Sequence, residues 1–195
     1  KNLTFNVEPD QKIVFLSNNS LVLTTLFNIL MGKEEADSGT FHFGKTIKPS
    51  YLPQDNREYF DNCHLSIVDW LRQFSKDKTE SYVRGWLGRM LFSGEESLKE
   101  VNVLSGGEKV RCMLAKLMLE GGNLLILDEP INHLDLESIT SLNKGMINFK
   151  GPILFATGDQ EIIETVANRI IDIVDENTII DKQMSYEEYM EKYKN

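Results

Sequence analysis

Two carboxylates stand side by side where a buried strand must end. Asn123-Leu124-Leu125-Ile126-Leu127 is almost wholly apolar, as a strand covered on both faces is, and it runs straight into Asp128-Glu129-Pro130. The pair suits magnesium-dependent chemistry: Asp128 to hold the ion through a hard oxygen, Glu129 to polarise a water as general base. Acidic residues at strand ends are common, so the pair gains weight only from its neighbours. Upstream, Leu104-Ser105-Gly106-Gly107-Glu108 opens a helix. A hydroxyl, free backbone N–H groups and the positive end of a helix dipole make an anion cradle there. Alone, the same five residues are equally a helix cap and turn. Both features in this order, followed by Asn132-His133-Leu134-Asp135, point to a nucleotide phosphate as ligand.

A loop for the phosphates themselves has two candidates. The pattern G-x-x-x-x-G-K-[ST] occurs at Gly39-Thr40-Phe41-His42-Phe43-Gly44-Lys45-Thr46. That loop must leave a strand and open a helix. Here a polar turn, residues 34–38, precedes it, Thr40–Phe43 alternates like a strand, and Pro49 follows, so the match fails on context. The second candidate has the context without the residues. Strand Ile13–Leu16 leads into Ser17-Asn18-Asn19-Ser20-Leu21-Val22-Leu23-Thr24-Thr25 and then a helix. Ser17, Ser20 and Val22 stand where the pattern wants glycine, and Leu23 stands where it wants lysine. A β-branched valine resists positive φ, and its Cβ keeps an anion off the backbone. Leucine donates nothing, and losing a charged hydrogen bond costs about 1.5–3 kcal/mol. Thr24 keeps a hydroxyl for Mg²⁺. A plain strand–helix turn that has lost its ligand is the competing reading.

These residues need an α/β frame, and the chain alternates short apolar strands with amphipathic helices. Strands are expected at 3–7, 12–16, 40–43, 48–52, 123–127, 153–157 and 169–174. Helices are expected at about 24–31, after Gly107, at about 136–148 and 160–167, and near the C-terminus. Val110, Met113, Leu114, Leu117 and Met118 form an apolar stripe on the helix after the glycine pair. Residues 64–100 read as helical throughout and form a candidate subdomain. With 195 residues, at roughly 150 per domain, the chain is one domain. Its 21 basic and 30 acidic side chains leave a net charge of −9, which argues against a non-specific nucleic-acid or membrane-surface binder. Cys63 and Cys112 form no disulfide framework or zinc pattern, and Cys63-His64 lacks further ligands, so a reducing cytoplasm is expected. No apolar run approaches a membrane span, and the opening Lys1-Asn2-Leu3 reads as a piece of a longer protein.

On these motifs the chain resembles an ATP-binding-cassette (ABC) ATPase domain, and specifically the ABC-F family of twin-cassette proteins. The resemblance implies a P-loop NTPase-like cassette with a mixed β-sheet core and a small helical subdomain. Residues 13–25 occupy the Walker A position, Gln54 in Tyr51-Leu52-Pro53-Gln54-Asp55 the Q-loop, Leu104–Glu108 the signature, Leu124–Glu129 Walker B, and Asn132–Asp135 the D-loop. Glu108, where many transporters have glutamine, and Asn132-His133 favour ABC-F. The run from Val83 to Met118 is most similar to the second cassette of such proteins. The family implies ATP and Mg²⁺ as cofactors. ATP would lie on Ser17–Thr25 and on Ser105–Glu108, the metal on Thr24, Gln54 and Asp128, with Glu129 and Gln54 catalytic. It also implies a second cassette in the same chain, closing head to tail over two ATP molecules, and for many members work on the ribosome. The adenine-stacking aromatic residue would lie upstream of Lys1.

The departures carry the functional expectation. Besides the altered Walker A, the family's switch histidine falls at Gly158 in Phe155-Ala156-Thr157-Gly158-Asp159, and Ile131 replaces the usual threonine after Asp-Glu-Pro. Each ATP of a head-to-tail pair lies between one cassette's Walker motifs and the other's signature. The expectation is therefore an asymmetric pair, with a degenerate site on this chain's own loop and an active one using Ser105–Gly107 as donor. Two other readings compete: a silent pseudo-cassette serving as an interaction surface, and a transporter subunit with a membrane partner. Lys109, Arg111 and Lys116 are read as a solvated face rather than an RNA contact. Tyr186, Tyr189 and Tyr193 are read as docking a terminal helix.

Overall fold

The computed structural model describes residues 2–194, which divide into two compact units. The first comprises Lys1–Pro53, Asn123–Pro130 and Asn143–Asn195. Its centre is a six-stranded sheet built from β1 (Lys12–Ser17), β2 (Pro49–Leu52), β3 (Leu124–Asp128), β4 (Ile153–Ala156), β5 (Arg169–Ile173) and β6 (Ile179–Lys182), in the order β2-β3-β4-β1-β5-β6. Every pairing is parallel except the β5–β6 edge, which is antiparallel. All five residues of β3 are buried, which accounts for its unbroken apolar sequence. Helix α1 (Ser20–Leu30) lays Leu23 and Phe27, one turn apart, on the face lined by Ile13, Phe15, Leu124, Ile126, Leu154, Ala156 and Ile171. Phe15 and Phe27 meet edge to face, centroids 5.6 Å apart. Burying a side chain such as Phe27 is worth about 1.5–3 kcal/mol.

Helix α7 (Gln160–Val166) and helix α8 (Tyr186–Tyr193) complete this unit. The terminal helix docks through Tyr189, fully buried, whose hydroxyl donates to Asp172 of β5 at 2.5 Å, with Lys194 2.9 Å from the same carboxylate.

The second unit comprises Gln54–Gly122 and Ile131–Leu142. It holds α2 (Arg57–Phe60), α3 (Ile67–Arg72), α4 (Glu80–Arg89), α5 (Gly106–Glu120), two 3₁₀ turns at Glu96–Leu98 and Val101–Val103, and the first part of α6 (Leu136–Asn148). Its core is aromatic. Trp70 stacks on Phe60 at 4.9 Å and meets Phe74 edge on at 5.1 Å. Lys116 of α5 lies over Tyr59 and Phe74 and pairs with Glu120, so this basic residue is packed rather than solvated.

Several sequence expectations are corrected. Residues 3–7 and 40–43 form no strand. Leu3, Phe5 and Val7 do alternate toward the core, but no ladder forms, because alternation records which side is buried and not whether a neighbour supplies hydrogen bonds. Helix α1 begins at Ser20 rather than near Thr24. β6 and α2 escape the sequence reading. The β5–β6 connection is a hairpin whose Asp175 side chain accepts from the Asn177 N–H, the turn chemistry that Asp175-Glu176-Asn177 offers between apolar runs.

Candidate nucleotide site

The loop after β1 is a capped helix start. Asn19 is the N-cap of α1, and its side-chain oxygen accepts from the Leu21 N–H at 3.1 Å. The Asn19 N–H itself donates to the Ser17 hydroxyl at 3.1 Å, and the Val22 N–H donates to the Asn19 carbonyl at 3.1 Å. Three of the amides that would face a phosphate are thus bonded within the loop. No residue from Ser17 to Thr25 has positive φ, so the alternation of right- and left-handed residues that curls a phosphate nest is missing. Leu23 is 5% exposed and belongs to the sheet core, whereas Leu21 is 67% exposed at the tip. Asn18 and Ser20 are exposed, and Thr25 is half-buried. The glycine-lysine match at 39–46 lies in coil closed by a turn, Ile47 N–H to Gly44 carbonyl, and leads into β2 rather than a helix.

Thr24, one residue beyond Leu23, faces the end of β3. Its hydroxyl donates to the Asp128 carboxylate at 2.7 Å. Burial pushes the Asp128 carboxyl pKa up, and the Thr24 hydrogen bond partly offsets this. A hydroxyl and a carboxylate this close, both hard oxygen donors, fit Mg²⁺, which takes one or two protein ligands and leaves the rest to water and phosphate. Among the described residues, no cluster of three His, Cys, Asp or Glu side chains offers an all-protein metal cage.

Glu129 follows in a left-handed conformation, φ +49°, with its N–H donating to the Ala156 carbonyl at 2.8 Å. Such a conformation costs a non-glycine residue about 1–2 kcal/mol and re-aims the side chain off the strand. One Glu129 oxygen accepts the Gly158 N–H at 3.4 Å. Burial raises the carboxyl pKa, the Gly158 amide lowers it, and the Asp128 charge raises it again, with a net upward shift. A carboxylate raised in this way is a better proton acceptor near neutral pH. At Gly158 a Cβ would meet nothing within 4 Å, and φ is not positive, so the position admits a side chain. That position 158 is glycine was legible in the sequence. The backbone amide that contacts Glu129 instead was not, because motif reading weighs side chains.

In the second unit, Ser105 is the N-cap of α5. Its hydroxyl accepts from the Glu108 N–H at 3.2 Å, and Glu108 accepts from the Ser105 N–H at 3.1 Å. This reciprocal capping box gives Glu108 a physical role and leaves the Ser105 hydroxyl proton available to an anion. Lys99 lies 3.4 Å from Glu108. Gln54, exposed in a bend after β2, belongs to this unit by chain contacts. The structure brings Thr24, Asp128, Glu129 and Gly158 together in one unit and Ser105–Glu108 with Asn132–Asp135 in the other.

The ABC transporter family model matches residues 1–132. The chain belongs to this family, as an ATP-binding cassette. Family members bind ATP with Mg²⁺, and their cassettes work in pairs. The chain is 59% identical over 97% of its length to YkpA of Bacillus subtilis, described as an uncharacterized ABC transporter ATP-binding protein. It is 33% identical over 98% of its length to the energy-dependent translational throttle protein EttA of Escherichia coli K12. It spans 35% of the length of each of these relatives. A dimeric ATP-binding cassette in a post-hydrolysis state with ADP and Pi superposes with a TM-score of 0.73 at 15% identity, over 94% of this chain and 90% of that one. The fold is accordingly that of a P-loop NTPase-type cassette. No helix of the cassette, among the described residues, is long and apolar enough to cross a membrane.

Proposed function

We propose that the cassette is one half of an ABC-F-type twin-cassette ATPase, whose own phosphate loop no longer holds nucleotide tightly and whose signature completes its partner's site. The observation that carries this reading is the closed loop. The amides of Asn19, Leu21 and Val22 are bonded within the chain, and the side chain in the lysine position, Leu23, sits in the core. Phosphate binding there would require breaking a helix cap and would recover no charged hydrogen bond. Thr24 and Asp128 still fit Mg²⁺, the sequence keeps Gln54 at the Q-loop position, and Glu129 is kept at the end of β3. The signature is intact, with Ser105 and the Gly106 and Gly107 amides available to a γ-phosphate presented by the facing cassette.

Glu108 and Asn132-His133 support the ABC-F assignment over a transporter subunit. The likeness to a relative named for translational throttling supports the ribosome as target and the cytoplasm as location. The test is a Mg·ATP titration of this chain beside the variant Val22→Gly/Leu23→Lys, followed by calorimetry. Binding by the variant alone is the expected result. Micromolar binding by the natural chain would overturn the degenerate-loop reading and leave the missing histidine as a matter of rate.

A further inference from the structure

The D-loop lies against the signature of the same chain. His133 sits in a left-handed conformation, φ +66°, inside a turn closed by the Leu134 N–H donating to the Ile131 carbonyl at 3.0 Å. Two residues on, Asp135 accepts the Ser138 N–H at 2.8 Å and so anchors the turn to the first turn of α6. Against this turn lies the N-terminus of α5. A Cβ on Gly107 would stand 2.5 Å from the His133 carbonyl oxygen, and one on Gly106 would stand 3.0 Å from His133 Cγ and 3.2 Å from its Cβ. Neither glycine has positive φ, so backbone conformation does not call for glycine at either position. Glycine is also a poor helix former. What Gly107 lacks is room, and a Cβ on Gly106 would press on the His133 side chain.

We infer that the D-loop is the positioning element for this chain's own signature, and that His133 is the residue that acts, with its carbonyl seated on Gly107 and its imidazole on Gly106. The glycine pair is then required by an intramolecular seat as well as by any approaching phosphate. The inference rests on the proposed function only for what the signature does once it is positioned. His133 lies four residues beyond Glu129 in the chain.

The two demands for glycine separate in a compensation experiment on the full-length protein. The readout is hydrogen exchange of the Glu108 and Lys109 amides, which are bonded to the Ser105 hydroxyl and carbonyl. Gly106→Ala should speed their exchange about fivefold, the factor a helix N-cap is worth. His133→Gly, which keeps the left-handed backbone and removes the imidazole, should leave exchange within about twofold by itself and return the double variant to the same range. His133→Val, which cannot hold positive φ, should loosen the same amides with both glycines intact. The Leu125–Leu127 amides of β3 report that each variant is folded. Unchanged exchange in Gly106→Ala or His133→Val, or no recovery in the double variant, overturns the inference. If exchange recovers while ATPase activity ignores Ser105→Arg, the donor role falls and the D-loop seat stands.

Discussion

Two helices of this cassette begin in the same way and have different things to offer. Asn19 caps α1 and Ser105 caps α5, each accepting an amide of the first turn. At α1 the first turn carries Ser20, Leu21 and Val22, the preceding Asn19 amide is bonded to Ser17, and the next side chain, Leu23, is buried. At α5 the first turn carries two glycines and Glu108, and the cap is doubled by the Glu108 carboxylate. A helix N-terminus is thus an anion site only if its neighbours leave the amides uncovered, and a cap can stabilise the helix while covering them.

The largest effect that sharpens this contrast is on turnover. In the full-length protein, Ser105→Arg should lower steady-state ATPase activity by about a hundredfold, the loss typical of removing a transition-state donor, while Glu129→Gln stays within about twofold. The reverse ranking would place the working site on this chain's own Walker motifs. Next comes the lysine position. Leu23→Lys should cost about 2 kcal/mol of stability in urea unfolding, because it drives an ammonium into the core, and Val22→Gly alongside it should recover part of that cost by letting the loop open. An undiminished midpoint for Leu23→Lys would mean that the loop reopens unaided. The two caps should then match in stability and differ in function. Asn19→Ala and Ser105→Ala should each cost about 1 kcal/mol, with turnover falling further for Ser105→Ala. Equal losses of turnover would erase the distinction between the two helices.

The smallest effect concerns pH. The Glu129 carboxyl pKa is raised in the folded state, chiefly by burial, so the folded protein favours the protonated form. Its contribution to stability is fully present below the carboxyl's unfolded pKa and is lost as pH rises through the folded one. Glu129→Gln should therefore stabilise the protein at neutral pH, with the gain vanishing below about pH 4, where both forms are neutral. A gain that persists in acid would assign the effect to packing rather than charge.

Much of the frame was legible from pattern. The apolar runs at 123–127, 153–157 and 169–174 locate β3, β4 and β5 to within a residue or two, and the stripe from Val110 to Met118 lies within α5. Their periodicity reflects burial, which composition encodes directly. The strand-like run at 3–7 shows the limit, since Leu3, Phe5 and Val7 do turn inward but the hydrogen-bond partner of a strand lies elsewhere in the sequence or in no described residue. The same holds at the site. That residues 17–23 hold no glycine and no lysine is plain from the sequence, but the fate of the loop's amides is not, because it depends on how Asn19 folds back on its own turn.

Residue type by itself determined that Leu23 offers no charge, that Gly158 offers no imidazole, and that Asp128 and Glu129 end a buried strand, since these are properties of side chains and local order. Tertiary structure alone decided that Thr24 meets Asp128 across 104 positions of sequence, that a backbone amide contacts Glu129, and that His133 occupies the space above two glycines. Those are contacts between distant segments or backbone groups common to every residue, and a linear pattern has no means of recording either.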